Sequence, residues 1–223
     1  MNRKGQPRLL NINNTYKPVV LNDNEVRVFN IVGTGICEKD RIINDRKHLK
    51  WVIGVFKREG LKIVYTSGVY DLLHEGHVVY LEKAKSFGDI LVVGVDDDEL
   101  TRLRKPDIKN RPIVKLPERL KMLAHVRSVN ILTVRTPKEH EDQLIVDLTP
   151  DVVVFSRGTK DINEPAIRKK LKKYSQKVIF LDPQSENSTT NRIRMLAMDG
   201  AGDLGKEILT VVEKHLGEKG GKL

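Results

Sequence analysis

From residue 61 onward, short apolar runs rich in β-branched residues alternate with longer segments of helical periodicity. The apolar runs occupy residues 61–66, 90–95, 129–134, 152–155 and 178–181. Runs such as ILVVGV and DVVVF are apolar at successive positions, which indicates strands buried on both faces. Strands of this kind are typical of parallel sheets covered by helices. The sequence therefore predicts an α/β fold, a doubly wound parallel five-stranded sheet flanked by helices.

The segments between the apolar runs carry helix signals. One helix is expected to open at Gly76 or His77 and to stop near Gly88, because glycine suits the position after a helix C-terminus. Further helices are predicted over about residues 40–57, from 116 onward, over 163–174 and over 202–216. This alternation is typical of a Rossmann-like sheet, whose ligands bind at the carboxyl ends of the strands.

The two ends of the chain fit this pattern less well. Residues 1–40 contain a strand or two at 18–32 at most and are interpreted as an N-terminal extension of unknown role. The predicted domain spans residues 41–197, and residues 198–223 form a C-terminal helix with a basic tail.

Composition excludes several classes of protein. The chain has 223 residues, a hydrophobic fraction of 39% and a charged fraction of 31%, which suit a globular protein and not a collagen-like or disulfide-rich one. One cysteine, a start without a secretory signal and the lack of a long apolar run together predict a cytoplasmic protein without membrane association. The net charge of +10 favours polyanionic partners, which include nucleic acid, anionic lipid and nucleoside triphosphates.

The stretch TSGVYDLLHEGH, residues 66–77, runs from the end of the first strand into a helix. Gly68 and Gly76 permit a close approach of the backbone to a ligand, and the free N–H groups of the helix N-terminus suit a phosphate. His74 and His77 are three residues apart, so they project to the same side of a helical turn. Two imidazole donors there suit the charge that develops during attack on an α-phosphate.

Several ordered motifs resemble one family. Residues 62–100, which read KIVYTSGVYDLLHEGHVVYLEKAKSFGDILVVGVDDDEL, resemble the HxGH nucleotidyltransferases. They are most similar to the adenylyltransferases that make ADP-heptose, with the cytidylyltransferases for glycerol 3-phosphate and phosphoethanolamine as near relatives. The similarity continues through RPIVKLPERLKML, RSVNILTV and ENSTTNRI, so it covers about residues 41–197.

The resemblance implies a role for each matching residue. His74 and His77 contact the triphosphate, and Lys105 and Arg119 hold phosphates beside them as catalytic residues. Asp71 helps to hold the site and its metal or substrate, and Asp98 lies near the acceptor. The implied nucleotide-binding residues are Thr66, Ser67, Gly68, Val69, Tyr70, Asp71, Gly76, Ser188, Thr189 and Thr190.

The chain departs from the family pattern after the fourth strand, where Phe155, Ser156, Arg157 and Gly158 replace a Gly-Asp or Asp-Asp pair. This segment helps to define the base and acceptor pockets, so the base is left open. Arg157 adds a positive charge that favours an acidic acceptor, and it joins Asp98 as an acceptor-binding candidate.

Simpler interpretations apply to other features. A pair of histidines three apart can be half of a zinc site, but no third ligand follows at zinc spacing. The basic run at 168–173 is interpreted as a solvated helix face. Nucleic acid is an unlikely partner because aromatic residues make up only 5% of the chain.

The sequence thus predicts a nucleotidyltransferase that uses Mg²⁺ with an NTP and transfers a nucleoside monophosphate to a small phosphorylated acceptor. ATP with a sugar phosphate is the first choice. CTP with glycerol 3-phosphate or an amino-alcohol phosphate is the second. A catalytically silent nucleotide- or nucleic-acid-binding protein on the same fold is the alternative of another class. The resemblance also implies a homodimer.

Overall fold

The computed structural model describes residues 9–12, 15–18, 38–104, 106, 111–157, 163–184, 198, 202 and 205–210. The chain divides into two compact units, Met1–Gln184 and Ser185–Leu223. In the second unit, residues 205–210 are helical, within the helix predicted over 202–216. The predicted strand or two at 18–32 fall outside the described residues except for residue 18. The predicted domain boundaries remain predictions.

Seven strands and seven helices are described in the first unit. The strands are β1 (Leu9–Ile12), β2 (Thr15–Pro18), β3 (Ile63–Gly68), β4 (Ile90–Asp96), β5 (Ile131–Arg135), β6 (Val152–Ser156) and β7 (Lys177–Leu181). The helices are α1 (Glu38–Arg41), α2 (Arg46–Arg58), α3 (Glu75–Lys85), α4 (Asp98–Arg104), α5 (Leu116–Ala124), α6 (Gln143–Leu148) and α7 (Glu164–Leu171).

Strands β3 to β7 form one parallel sheet in the order β5-β4-β3-β6-β7, while β1 and β2 pair as a separate antiparallel hairpin. The chain adds strands outward from β3 to β5 and then crosses back to the other side of β3 with β6. The order reverses between β3 and β6, and this reversal opens a crevice at their carboxyl ends. The predicted five-stranded parallel sheet is confirmed.

Each face of the sheet is covered by its own hydrophobic cluster. One cluster joins α2, α6 and α7 to the sheet and includes Phe56, Leu144 and Leu171. The other joins α3 and α5 to the opposite face and includes Leu81 and Leu123. All seven residues of β4 are buried, because helices cover both of its faces. The sheet is therefore doubly wound, as the sequence predicted.

Two helix boundaries differ from the prediction. Helix α3 begins at Glu75, before the predicted start at Gly76 or His77, because the side chain of His74 caps it. Helix α2 begins at Arg46 and not near residue 40, because the Asp45 carboxylate accepts a hydrogen bond from the backbone N–H of His48 at 2.6 Å. Helices α4 and α6 were not predicted.

Gly88 permits close packing after α3 has ended. A Cβ at this position would lie 2.7 Å from Val64 Cγ2 and 2.9 Å from the carbonyl oxygen of Lys62. The glycine therefore lets the chain fold tightly back against β3, three residues after the last residue of the helix.

Candidate active site

The loop that follows β3 runs along the crevice between β3 and β6 and ends at the N-terminus of α3. Two of its residues, Tyr70 and Leu72, have positive φ values of 53° and 45°. Residues other than glycine adopt this region at a cost in energy, and such strain is concentrated at functional sites. The loop therefore takes a conformation that its surroundings impose.

His74 is the N-cap of α3. Its Nδ1 accepts a hydrogen bond from the backbone N–H of Gly76 at 3.1 Å. Because Nδ1 is the acceptor, the proton of the neutral imidazole lies on Nε2. The cap thus fixes the tautomer in which Nε2 is the donor.

His77 lies against His74 in the first turn of α3. The centroids of the two imidazole rings are 4.0 Å apart and the rings are tilted by 32°. The edge of the Tyr70 ring packs against His77 at 5.5 Å between centroids, at an interplanar angle of 67°. The predicted pair is brought together at the positive end of a helix dipole, where an anion is stabilised.

Tyr70 is buried behind this histidine pair and is 5% exposed. A Cβ at Gly68 would lie 3.2 Å from Tyr70 Cε2, so the glycine makes room for the tyrosine ring. Burial raises the pKa of the Tyr70 hydroxyl well above its ordinary value. Tyr70 therefore packs against the histidine pair from the protein side, and the nucleotide contact implied by the resemblance stays a prediction.

Asp71 anchors the segment that leads into α5. Its carboxylate is 2% exposed and accepts hydrogen bonds from the backbone N–H groups of Ile113, at 3.1 Å, and Val114, at 2.9 Å. Arg111 Nε lies 3.8 Å from Oδ2 of the same carboxylate. The Asp71 carboxylate is thus engaged by two peptide groups and a cation of its own chain.

Arg119 is buried at 1% exposure in the centre of the same region. Its guanidinium donates to the carbonyl oxygens of Val114, Val69 and Asp96. It also donates to Asp98 Oδ1 at 2.7 Å, and Asp98 accepts a further hydrogen bond from the backbone N–H of Leu116. The guanidinium is thus engaged inside the protein and holds three loops together, and the predicted phosphate contact stays a prediction.

Thr66 also lies inside the protein. Its hydroxyl donates to the carbonyl oxygen of Val154 at 2.9 Å and lies 2.8 Å from the hydroxyl of Tyr80. Thr66 is fully buried, and its side chain links β3 to β6.

A buried ionic group at the carboxyl ends of β3, β4 and β5 was missed in the sequence. Arg135 donates to Ser67 Oγ at 2.6 Å and lies 3.2 Å from Asp96 Oδ1. Arg104 lies 3.6 Å from Asp96 Oδ2. Burial raises the pKa of Asp96, while Arg135 and Arg104 oppose this shift. The glycine in the middle of β4 was an available signal, because glycine inside a strand often marks a close approach by another group.

Arg157 follows β6 on the far side of the crevice. Its guanidinium donates to Glu164 Oε1 at 2.6 Å and to Asp182 Oδ1 at 3.0 Å. Hydrogen bonds to these two carboxylates raise the pKa of Arg157. Lys105, Ser188, Thr189 and Thr190 lie outside the described residues.

Within the described residues, no group of three or more histidine, cysteine, aspartate or glutamate side chains is arranged to hold a metal ion. Asp71, the predicted metal ligand, is engaged by backbone N–H groups. The donor set of the described residues therefore does not form a protein cage for Mg²⁺. Among the helices of the described residues, none has the length and apolar character that crossing a bilayer requires.

The chain is similar in sequence to one known protein family and to two proteins with the same name. The profile of the cytidylyltransferase-like family matches residues 65–196, more than half of the chain. The bifunctional protein HldE of Desulfatibacillum aliphaticivorans is 40% identical over 107 residues, which are 48% of this chain and 21% of that protein. The bifunctional protein HldE of Syntrophotalea carbinolica is 37% identical over 164 residues, which are 71% of this chain and 32% of that protein.

Among solved structures, a lipopolysaccharide core biosynthesis protein from Thermoplasma volcanium GSS1 is 24% identical with a TM-score of 0.49, covering 58% of this chain and 100% of that one. The matched segments span only 21% and 32% of the length of the two HldE proteins.

Proposed function

The chain belongs to the cytidylyltransferase-like family, and we propose that it is a nucleotidyltransferase that joins a nucleoside monophosphate to a small phosphorylated acceptor. The observation that carries the proposal is the pair of imidazoles, 4.0 Å apart, in the first turn of α3 at the end of β3. Helix N-termini beside a parallel sheet are anion sites, and preorganised donors there suit a triphosphate.

In the proposed mechanism the NTP lies with its phosphates over the N-terminus of α3. The Nε2–H of His74 donates to a phosphate oxygen, and His77 adds a second donor beside it. Lys105 and the Ser188, Thr189 and Thr190 hydroxyls would bind the β- and γ-phosphates, as the resemblance implies. The two histidines are thus the catalytic residues, whereas Arg119 and Asp71 are positioning residues that hold the loops around them.

The reaction is a single in-line displacement. An oxygen of the acceptor phosphate forms a bond to the α-phosphorus, and the bond from this phosphorus to the α,β-bridging oxygen breaks. The electron pair of that bond leaves with pyrophosphate, and the donors at α3 neutralise the charge that develops on it. The protein contributes position and charge stabilisation and forms no covalent intermediate.

ATP is the proposed nucleotide and a sugar phosphate the proposed acceptor. The similarity to two HldE proteins and the motif resemblance to the ADP-heptose adenylyltransferases support this choice. CTP with glycerol 3-phosphate or an amino-alcohol phosphate is the second candidate, because the family profile is cytidylyltransferase-like. Mg²⁺ is proposed to arrive with the NTP, where it would neutralise phosphate charge. Homodimer formation is part of the same proposal.

The test is a matrix of the four NTPs against sugar phosphates, glycerol 3-phosphate and amino-alcohol phosphates, with pyrophosphate release and product mass as readouts. ATP with a sugar phosphate is expected to give the fastest release and a nucleotide sugar as product. Turnover only with CTP would favour the second candidate. No turnover with any pair would contradict the proposal and favour the catalytically silent alternative.

A further inference from the structure

The positive charge of the chain is concentrated in two helical segments of the first unit. Helix α2 carries five lysine or arginine residues and no aspartate or glutamate, which gives it a charge of +5. Residues 164–173, which are α7 and the two lysines after it, carry five basic residues and one glutamate, a charge of +4. The two segments together hold +9 of the net charge of +10. The remainder of the chain is therefore close to neutral.

Both segments belong to the helical layer on one face of the sheet. Helices α2, α6 and α7 contribute to the same hydrophobic cluster. The Nζ atom of Lys50 in α2 lies 2.6 Å from a carboxylate oxygen of Asp147 in α6. Lys170 of α7 pairs with Asp142, the N-cap residue of α6. These contacts join the three helices into one continuous surface, so their cations act together on whatever lies against it.

The carboxylates of α6 do not neutralise this surface. Asp142 and Asp147 are each already paired with a lysine. Lys47, Lys169 and Lys172 are exposed, and none of the three has a carboxylate partner among the described residues. Helix α3, on the opposite face of the sheet, has two glutamates and two lysines and is neutral. The surplus of cations is thus confined to one side of the sheet.

An aromatic side chain lies among these cations. Trp51 of α2 is the only tryptophan of the chain and is 39% exposed. Of the large apolar side chains that are exposed in the described part of the chain, it alone is aromatic. The imidazole of His48 stacks on the indole, with ring centroids 5.8 Å apart and planes 18° apart. At Gly54, one turn further along α2, a Cβ would meet nothing within 4 Å, so the surface beside the indole is open.

Two classes of polyanion suit a broad basic surface, namely nucleic acid and an anionic bilayer. Proteins that bind single strands stack successive bases on several aromatic side chains, and this surface offers one tryptophan. Helices that lie on membranes combine lysine and arginine with tryptophan, whose indole sits at the headgroup level. The basic side chains pair with anionic lipids, and each adds to the attraction. A single indole among many lysines therefore favours the bilayer.

We propose that the outer surface of α2, α6 and α7 binds an anionic phospholipid bilayer, with Trp51 at the headgroup level and the lysines on lipid phosphates. Contact of this kind departs from the sequence-based expectation of no membrane association, since that expectation weighed a leader and a spanning run and not a basic surface. The histidine pair belongs to α3, which covers the opposite face of the sheet. The proposed nucleotide site therefore stays open while the surface is on the lipid.

The test uses the full chain without nucleotide and vesicles of phosphatidylcholine, either pure or with about 30% phosphatidylglycerol. Because Trp51 is the only tryptophan, its fluorescence reports on this surface alone. Anionic vesicles are expected to shift the emission to shorter wavelength and to bind at least tenfold more tightly than neutral vesicles. Salt at about 0.5 M is expected to weaken this binding, because it screens charges beyond about 4 Å.

Matched pairs of substitutions locate the contact. The double variant Lys47→Gln with Lys172→Gln removes two cations of the surface and is expected to weaken binding to anionic vesicles at least tenfold. The control, Lys83→Gln with Lys121→Gln, removes the same charge from exposed positions of α3 and α5 on the opposite face. It is expected to bind anionic vesicles within twofold of the wild type.

The proposal is overturned if neutral and anionic vesicles bind alike, if anionic vesicles bind without a change in Trp51 emission, or if the control pair weakens binding as much as the surface pair. Binding of an RNA oligonucleotide by a chain that ignores anionic vesicles would overturn it as well and assign the surface to nucleic acid. Since neither nucleotide nor acceptor is present, these outcomes are distinguishable from success or failure of the proposed function.

Discussion

His74 caps α3 and is proposed to donate to a phosphate, and these two roles can be separated. Its Nδ1 caps the helix, while Nε2 carries the proton that is available to a phosphate. Asparagine also caps helices well, so His74→Asn keeps the cap and removes the imidazole donor. Loss of one preorganised donor costs about 10²–10³ in turnover. We expect a loss of that size in pyrophosphate release, with a change of only a few tenths of a kcal/mol in the free energy of unfolding.

His125→Ala provides the comparison, because His125 is an exposed histidine at the C-terminus of α5. It is expected to release pyrophosphate at the wild-type rate. Full activity in His74→Asn would show that the imidazole serves only as a cap.

A substitution at Asp71 tests whether this buried carboxylate stabilises the fold or binds a metal ion. Both of its oxygens accept backbone hydrogen bonds. An asparagine amide has only one oxygen, so Asp71→Asn places an N–H₂ group opposite a peptide N–H. We expect the variant to lose about 1–3 kcal/mol of unfolding free energy, measured by urea denaturation.

The Mg²⁺ concentration that gives half-maximal turnover is expected to stay within twofold of the wild-type value in Asp71→Asn. A large rise in this concentration, without a loss of stability, would assign the carboxylate to the metal instead.

At the scale of the elements, Arg119 connects the loop after β3, the end of β4 and the segment before α5. It does so through carbonyl groups of Val69, Asp96 and Val114. Lysine keeps the charge but lacks the planar fork of five donors. In Arg119→Lys some of these buried carbonyl groups lose their donor, and each costs about 1–3 kcal/mol.

We therefore expect Arg119→Lys to unfold at a lower urea concentration, with a fall in kcat because the histidine loop loses its support. Arg102→Lys in α4 is the control, since Arg102 is exposed, and it should unfold like the wild type. A variant that keeps its stability and shows only a higher KM for the NTP would instead favour the phosphate contact predicted from the sequence.

The strands and the histidine pair were predictable because their signals are local. A run of buried apolar residues marks a strand, and a spacing of three places His74 and His77 together. Helix α4 was not predicted because Thr101 is its only buried residue, so the helix has no apolar stripe. Helix α6 has six residues, which is too short for a clear periodic pattern.

The interior arginines were not predictable in the same way. Arg135 contacts Ser67, which is 68 positions away, and Arg119 contacts Val69, 50 positions away. No spacing rule joins residues so far apart in sequence. In the sequence Arg135 resembles a surface charge and Arg119 is predicted as a phosphate contact, because the interior contacts of both form only when the sheet brings the strand ends together.

For the whole molecule, the buried tyrosines connect the site to global stability. Tyr65, Tyr70 and Tyr80 are buried, and burial raises the pKa of each hydroxyl, that of Tyr80 to about 12. An acid whose pKa is raised by folding favours the folded state below its ordinary pKa, about 10, and this stabilisation is lost as the pH rises through the folded value.

An alkaline titration of phenolate absorbance is therefore expected to show the three buried tyrosines ionising above their ordinary pKa of about 10 in the folded chain, with Tyr80 still un-ionised near pH 11. They should ionise together with loss of the helical circular dichroism signal. Ionisation of all five tyrosines near pH 10, before unfolding, would contradict the packing of the site. Tyr80→Phe should raise the pH at which the chain unfolds, because one buried hydroxyl that ionises on unfolding is removed.

In the proposed reaction the α-phosphate of the nucleotide moves to the acceptor. Parallel reactions with α-labelled and γ-labelled ATP and a sugar phosphate distinguish this transfer directly from transfer of the γ-phosphate and from hydrolysis of ATP. We predict that the α-label appears in the nucleotide sugar and the γ-label in pyrophosphate, and that His77→Ala abolishes both. Transfer of the γ-label to the sugar phosphate, or its release as inorganic phosphate without a nucleotide sugar, would contradict the account.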